Sequence, residues 1–185
     1  MFDHSKIDFK VEKFPLINEW QAGEDLVPYT KAEEIPSSIG VGLRRTDTKE
    51  PIGIVSDEYF PVQYAEIVNG VEQALQRAEI DMTEATFTTD VYDRGAKLEL
   101  RAKFPAHIMN IREGKDSVVP EFVFRTSHNR TWANNGMMGL WRSFCYNTLV
   151  SGDKLAYVYG RHTKNFNISG FAAKVKTAGE FISGS

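Results

Sequence analysis

The sequence predicts an α+β fold: an antiparallel sheet built from hairpins, with one main amphipathic helix over about 63–78 and a C-terminal helix over about 169–182. Three observations predict it. Ile67, Val71, Ala74, Leu75 and Ala78 recur at helical spacing, which lays an apolar stripe along one side of a helix. Two strand-like runs, 85–92 and 96–104, flank Asp93-Arg94-Gly95, a glycine-containing turn between alternating segments. Helices and strands do not alternate along the chain as they do in a doubly wound parallel sheet.

Taken in order, residues 1–36 read as an irregular or extended N-terminal arm punctuated by Pro15, Pro28 and Pro36. Phe9, Phe14, Leu16 and Trp20 give this arm apolar surface to bury. Residues 37–185 read as a single α+β domain. IGVGLRR (39–45) and IGIV (52–55) are short strands around the polar turn TDTKEP. After the helix, Phe87, Val91 and the threonines of 85–92 favour strand, and Leu98 and Leu100 alternate with Lys97, Glu99 and Arg101. Residues 107–111 extend the second strand after a kink at Pro105, and 120–126 form another strand with Pro120 at its edge. SHNRTWANNG (127–136) reads as a polar loop. MMGLWRSFCYNTLV (137–150) leans to helix, because Leu140, Phe144, Cys145 and Thr148 fit a helical face. KLAYVYG (154–160) is a strand. In the last segment Ser169 is placed to cap a helix carrying Phe171, Val175, Ala178 and Ile182 on one side. That helix runs into residue 185, so the domain is expected to continue if the sequence is a truncation.

Composition narrows the class of function. With 42% hydrophobic residues and a net charge of 22 − 25 = −3, the chain has enough apolar material for a core and is not of the disordered type. Its apolar runs fall far short of the roughly 20 residues a membrane helix needs. A single cysteine gives neither a disulfide framework nor a cysteine-rich zinc site. MFDHSKIDFK is charged from its third residue and has no apolar segment of a secretory leader. A cytoplasmic location follows as the expectation, in the host cell if a phage encodes the chain. The Walker phosphate loop, dinucleotide fingerprint, zinc-protease helix, calcium loop and nucleophile elbow are all absent from the sequence. No catalytic residue, metal or cofactor is therefore assigned.

The small net charge hides an asymmetry. Residues 1–60 carry 7 basic and 12 acidic groups, a net of −5, whereas 122–176 carry eight basic groups against Asp153, a net of +7. The basic window is also aromatic and amide-rich. Arg125, His128, Asn129, Arg130 and Trp132 come first, then Arg142 and Asn147, then Tyr157, Tyr159, Arg161, His162 and Lys164. Cations contact phosphates, aromatic rings stack on unpaired bases, and amides bond base edges. Interleaving the three suits a groove for single-stranded nucleic acid. The plainer alternative is that the aromatics are core and the basic third neutralises the acidic two thirds within one fold.

Ser127-His128-Asn129, then Arg142-Ser143-Phe144-Cys145-Tyr146-Asn147-Thr148-Leu149, then Arg161-His162-Thr163 resemble the phage and plasmid family called domain of unknown function 932. Its members show a Ser-His-Asp-Gly-Ser stretch, an Arg-x-x-Cys-x-Asn-Thr-Leu stretch and a later Arg-His-Thr. Upstream, Tyr59-Phe60-Pro61-Val62-Gln63 resembles the family's Tyr-x-x-Val-Gln-Asn segment, and the likeness spans about residues 50–175. Two positions depart from it: Asn129-Arg130-Thr131 replaces Asp-Gly-Ser, and Tyr64 stands where the family has Asn. Asn129 keeps hydrogen-bonding capacity and loses the charge. The resemblance implies a mobile-element origin and, by association, a DNA transaction.

The leading expectation is thus a phage-encoded protein that binds single-stranded DNA, as an annealing or recombination accessory in a homo-oligomer. A second is an effector that binds and inhibits a host or viral protein through its acidic N-terminal region. A third is an enzyme using Cys145 with His128 or His162 as nucleophile and base, with Asn147 orienting the imidazole.

Overall fold

The computed structural model describes residues 1–17, 36–111, 116–141 and 154–160. The strands are β1 (Val11–Ile17), β2 (Pro36–Arg45), β3 (Pro51–Val55), β4 (Thr86–Tyr92), β5 (Lys97–Lys103), β6 (Met109–Ile111), β7 (Asp116–Ser127), β8 (Asn134–Trp141) and β9 (Lys154–Gly160); the helix α1 is Tyr64–Arg77. They make a three-stranded sheet, β1-β2-β3, and a six-stranded sheet ordered β4-β5-β7-β8-β9 with β6 paired to β7. Every pairing is antiparallel. The α+β expectation of antiparallel strands around one main helix holds for this part of the chain. The C-terminal helix expected over 169–182 lies outside the described residues.

The helix begins where Gln63, the residue before it, is still extended. It buries Ile67, Val68, Val71, Ala74 and Leu75, the stripe that its periodicity marks. These side chains pack on Leu98, Leu100 and Ala102 of β5 and Phe122 and Phe124 of β7. Alternation along a strand then turns Lys97, Glu99 and Arg101 to the other side of the sheet. One face of the large sheet is core; the opposite face is polar along β5, with Val123 of β7 buried beside it.

A second cluster, Val11, Leu43, Ile52, Val55, Tyr59 and Ala96, forms under the small sheet. Phe9 packs against both clusters, with its ring edge-on to Tyr64 at 5.8 Å and the Arg45 guanidinium 4.0 Å from its centroid. The two sheets thus share one aromatic junction.

The structure revises several expectations. In the segment read as irregular or extended, residues 11–17 are a strand, and Phe2 and Ile7 are buried with the main core. The reading of 137–150 as helix is corrected for 137–141, which belong to β8. The polar loop expected over 127–136 shrinks correspondingly, since Ser127 ends β7 and β8 begins at Asn134. Pairing to β7 on one side and β9 on the other overrides a local pattern weakened by Gly136 and Gly139. Pro120, expected at a strand edge, lies inside β7. There the partner changes from β6, which pairs with 116–118, to β5, which pairs with 121–127. The Pro120 carbonyl accepts from the Phe104 amide on that side, so the nitrogen that cannot donate faces the break between partners.

Candidate functional site

In the large sheet Glu99 of β5 stands opposite Arg125 of β7, and Lys97 opposite Ser127. On the other flank of β5, Tyr92 of β4 stands opposite Lys97. The polar face therefore gathers charges from neighbouring strands. Glu99, only 5% exposed, accepts from Arg101 Nε at 2.7 Å and from Arg125 Nε in a short bond. Arg101 also donates to Glu121 at 3.1 Å. The result is a chain of alternating charge, Glu121–Arg101–Glu99–Arg125. Burial pushes the Glu99 carboxyl up, but the two guanidinium hydrogen bonds outweigh it and hold the group below its ordinary range.

Trp132 flanks this chain. Its ring meets Tyr92 edge-on at 5.9 Å. Lys97 Nζ lies 5.2 Å and Arg125 Cζ 5.6 Å from its centroid, within cation–π range. Tyr92 is 43% exposed. Together with Asp93, which pairs with Lys97 at 2.6 Å, these residues line an open cleft of about 410 Å³.

The loop 128–133 fixes Trp132 through short-range bonds. The Trp132 amide donates to Ser127 Oγ at 2.8 Å, and that hydroxyl donates back to the Trp132 carbonyl at 2.9 Å. Asn129 Oδ1 accepts from the Thr131 amide and hydroxyl, a side-chain turn that asparagine favours. Arg130, at φ +65°, is exposed at the tip. The His128 amide donates to the Ala96 carbonyl at 2.7 Å, tying the loop to the β4–β5 turn.

His128 itself points inward. It is 1% exposed, its ring stacked on Tyr64 at 4.4 Å and its Nδ1 3.3 Å from the Tyr59 hydroxyl. Burial raises both phenols, which stay neutral at physiological pH. The segment Tyr59–Gln63 and the segment Ser127–Asn129, more than 60 residues apart, thus meet in one buried contact. Gln63 completes it from the other side: its amide accepts from the Val11 amide at 2.8 Å and donates to the Val11 carbonyl at 3.0 Å.

Of the residues the sequence singles out, Arg125 and Trp132 come together at the cleft, with Asn129 and Arg130 in the adjoining loop. His128 lies behind that loop in the core. Tyr157 and Tyr159 fall in β9, opposite Met137 and Asn135, and Asn135 is in turn opposite Arg125. Arg142, Asn147, Arg161, His162, Lys164 and Cys145 lie outside the described residues. Sequence reasoning did not select Tyr92, Lys97, Glu99 or Arg101. The polar half of the β5 alternation was visible in the sequence; its juxtaposition with Arg125 and Trp132 required the strand register.

Three described carboxylates of the acidic N-terminal region are paired within the fold. Glu12 binds Arg44 and Lys49 at 2.8 and 3.0 Å, Glu50 meets Arg94 at 3.0 Å, and Arg45 holds Asp47 down to about 2. Among the described residues no group of three His, Cys, Asp or Glu side chains is placed to hold a metal ion. No described helix is long and apolar enough to cross a membrane.

Residues 51–180 match the family described as Domain of unknown function (DUF932). No curated protein and no solved structure matches the chain.

Proposed function

The chain belongs to the family of domain of unknown function 932, and on that premise we propose that it binds single-stranded nucleic acid on the polar face of its large sheet. The observation that carries the reading is Trp132, half-buried beside the exposed Tyr92 and flanked by the cations of Lys97 and Arg125. A base stacks on an exposed aromatic face whatever its identity, while neighbouring cations meet the phosphates on either side. Trp132 and Tyr92 are the platform, Arg125 and Lys97 the flanking cations, and Arg130 at the loop tip a further phosphate contact. His128 supports the loop from behind and does not touch the strand. A DNA annealing or recombination accessory, carried by a phage or other mobile element and acting in the cytoplasm of its host, is the role this activity fits. Arg142, Tyr157, Tyr159, Arg161 and Lys164 remain proposed contacts from the sequence.

The test is fluorescence anisotropy of a labelled single-stranded oligonucleotide at two salt concentrations, for the parent, Trp132→Ala and Arg130→Glu. The parent should bind in a salt-sensitive way. Trp132→Ala should lose about 1–3 kcal/mol for each base it stacks. Arg130→Glu, a change at an exposed tip, should weaken binding and flatten the salt dependence. Parent-like binding by both folded variants, or no binding by the parent at low salt, rejects the proposal.

A further inference from the structure

We propose that Glu99 is a specificity residue of this face, an internal carboxylate that occupies the arginines a phosphate would otherwise use. The inference rests on the nucleic-acid reading above and adds what sets its selectivity. Counted over Lys97, Arg101, Lys103 and Arg125 against Asp90, Asp93, Glu99 and Glu121, the face carries 4 − 4 = 0 net charge. Arg125 spends only its Nε on Glu99, and its side chain is 43% exposed. Its terminal amino groups have no bonding partner among the described residues. Arg101 is held more tightly, by Glu99 and Glu121 together.

Such a site is ordered but electrically muted. A polyanion gains less from approaching it than from the same cations unpaired, because each guanidinium already faces a carboxylate. Affinity then depends on the rings of Trp132 and Tyr92, which only an unpaired base can reach. Duplex DNA offers denser charge and no free base face, so cancelling the charge of the face penalises duplex more than single strand. Glu99 is the member of the chain best placed to do this, since it contacts both arginines and lies on their inner side.

Removing one negative charge should therefore strengthen binding, and strengthen it more for duplex. Counterion release gives salt slopes of about 0.9 per charge for duplex and about 0.7 for single strands. At about 0.1 M salt one added net positive charge corresponds to roughly eight-fold tighter duplex binding and roughly five-fold tighter single-strand binding.

The experiment is anisotropy of a labelled single strand and of the same strand annealed to its complement, across a salt series, for the parent and Glu99→Gln. The glutamine keeps an acceptor oxygen for the arginines and removes the charge. Tighter binding of both ligands, steeper slopes and a smaller preference for the single strand are expected. Glu121→Gln, which also removes a charge next to Arg101, should act in the same direction and serves if Glu99→Gln does not fold. A parent that binds while the folded variant binds no better, or keeps its full preference, overturns the role of Glu99 and leaves the binding face standing. A parent and variant that both fail to bind overturn the binding face and this inference with it.

Discussion

Gln63 shows how a side chain of the family-like segment can matter without touching a ligand. Its amide pairs with both backbone groups of Val11, as a neighbouring strand would, and also donates to the Pro61 carbonyl at 3.2 Å. It thereby ties the first strand of the small sheet to the start of the helix. Gln63→Ala leaves the part-buried Val11 amide and carbonyl without that partner, at a cost of about 1–3 kcal/mol. The expected result is a lower urea midpoint with an unchanged slope; an unaltered midpoint would mean that water replaces the amide. His128 belongs to the same class. In the sequence it is indistinguishable from a ligand-binding histidine, because its setting depends on Tyr59 and Tyr64, which lie more than 60 positions away. Trp132 presents the reverse case. Its aromatic character was legible, but not that Ser127 clamps its backbone and that Lys97 and Arg125 flank its ring.

At the scale of elements, α1 and the β4–β5 hairpin were legible because each is encoded locally, one by a 3.6-residue stripe and the other by a turn between alternating runs. The turn is tighter than a simple glycine signal suggests. Asp93 and Arg94 already have positive φ, and Gly95 follows at φ +106°, outside the range a side chain tolerates at low cost. A Cβ there would also lie 2.9 Å from Phe9 Cζ, at the junction of the two sheets. Gly95→Ala should therefore destabilise by about 1–3 kcal/mol and loosen the Phe9–Arg45 contact. Chemical denaturation gives the first effect, and the near-ultraviolet dichroism of the aromatic junction gives the second. β8 was not legible as a strand because its pattern is diluted by glycines, and its identity comes from being paired on both sides. The candidate site inherits that limit: it assembles from β4, β5, β7 and a loop, and only strand register brings their polar positions onto one face.

At the scale of the molecule, charge links stability to binding. Of the basic groups that the sequence marks for an anionic partner, Arg125 is met from within by Glu99, whereas Glu12, Asp47 and Glu50 pair with Arg44, Lys49, Arg45 and Arg94, outside that basic window. Both readings of the asymmetry therefore describe part of the same surface: pairing orders the guanidinium groups, and their outward edges remain for a ligand. The balance depends on pH in a calculable direction. Glu99 ionises more readily in the folded chain than at its ordinary value of 4.5. Its contribution to stability is consequently complete above that value and is lost as pH falls through the lower, folded one. At neutral pH Glu99→Gln should be less stable than the parent by roughly 1–3 kcal/mol, discounted toward the lower end because both arginines are partly exposed. In strongly acidic solution, with the carboxyl protonated in both folded and unfolded parent chains, the gap should close. Urea melts of both proteins at neutral and acidic pH measure it directly. A gap that persists unchanged into acid would show that the side chain acts by shape and not by charge. A gap that closes, in a variant that also binds nucleic acid more tightly, would show one carboxylate stabilising the fold while it restrains the site.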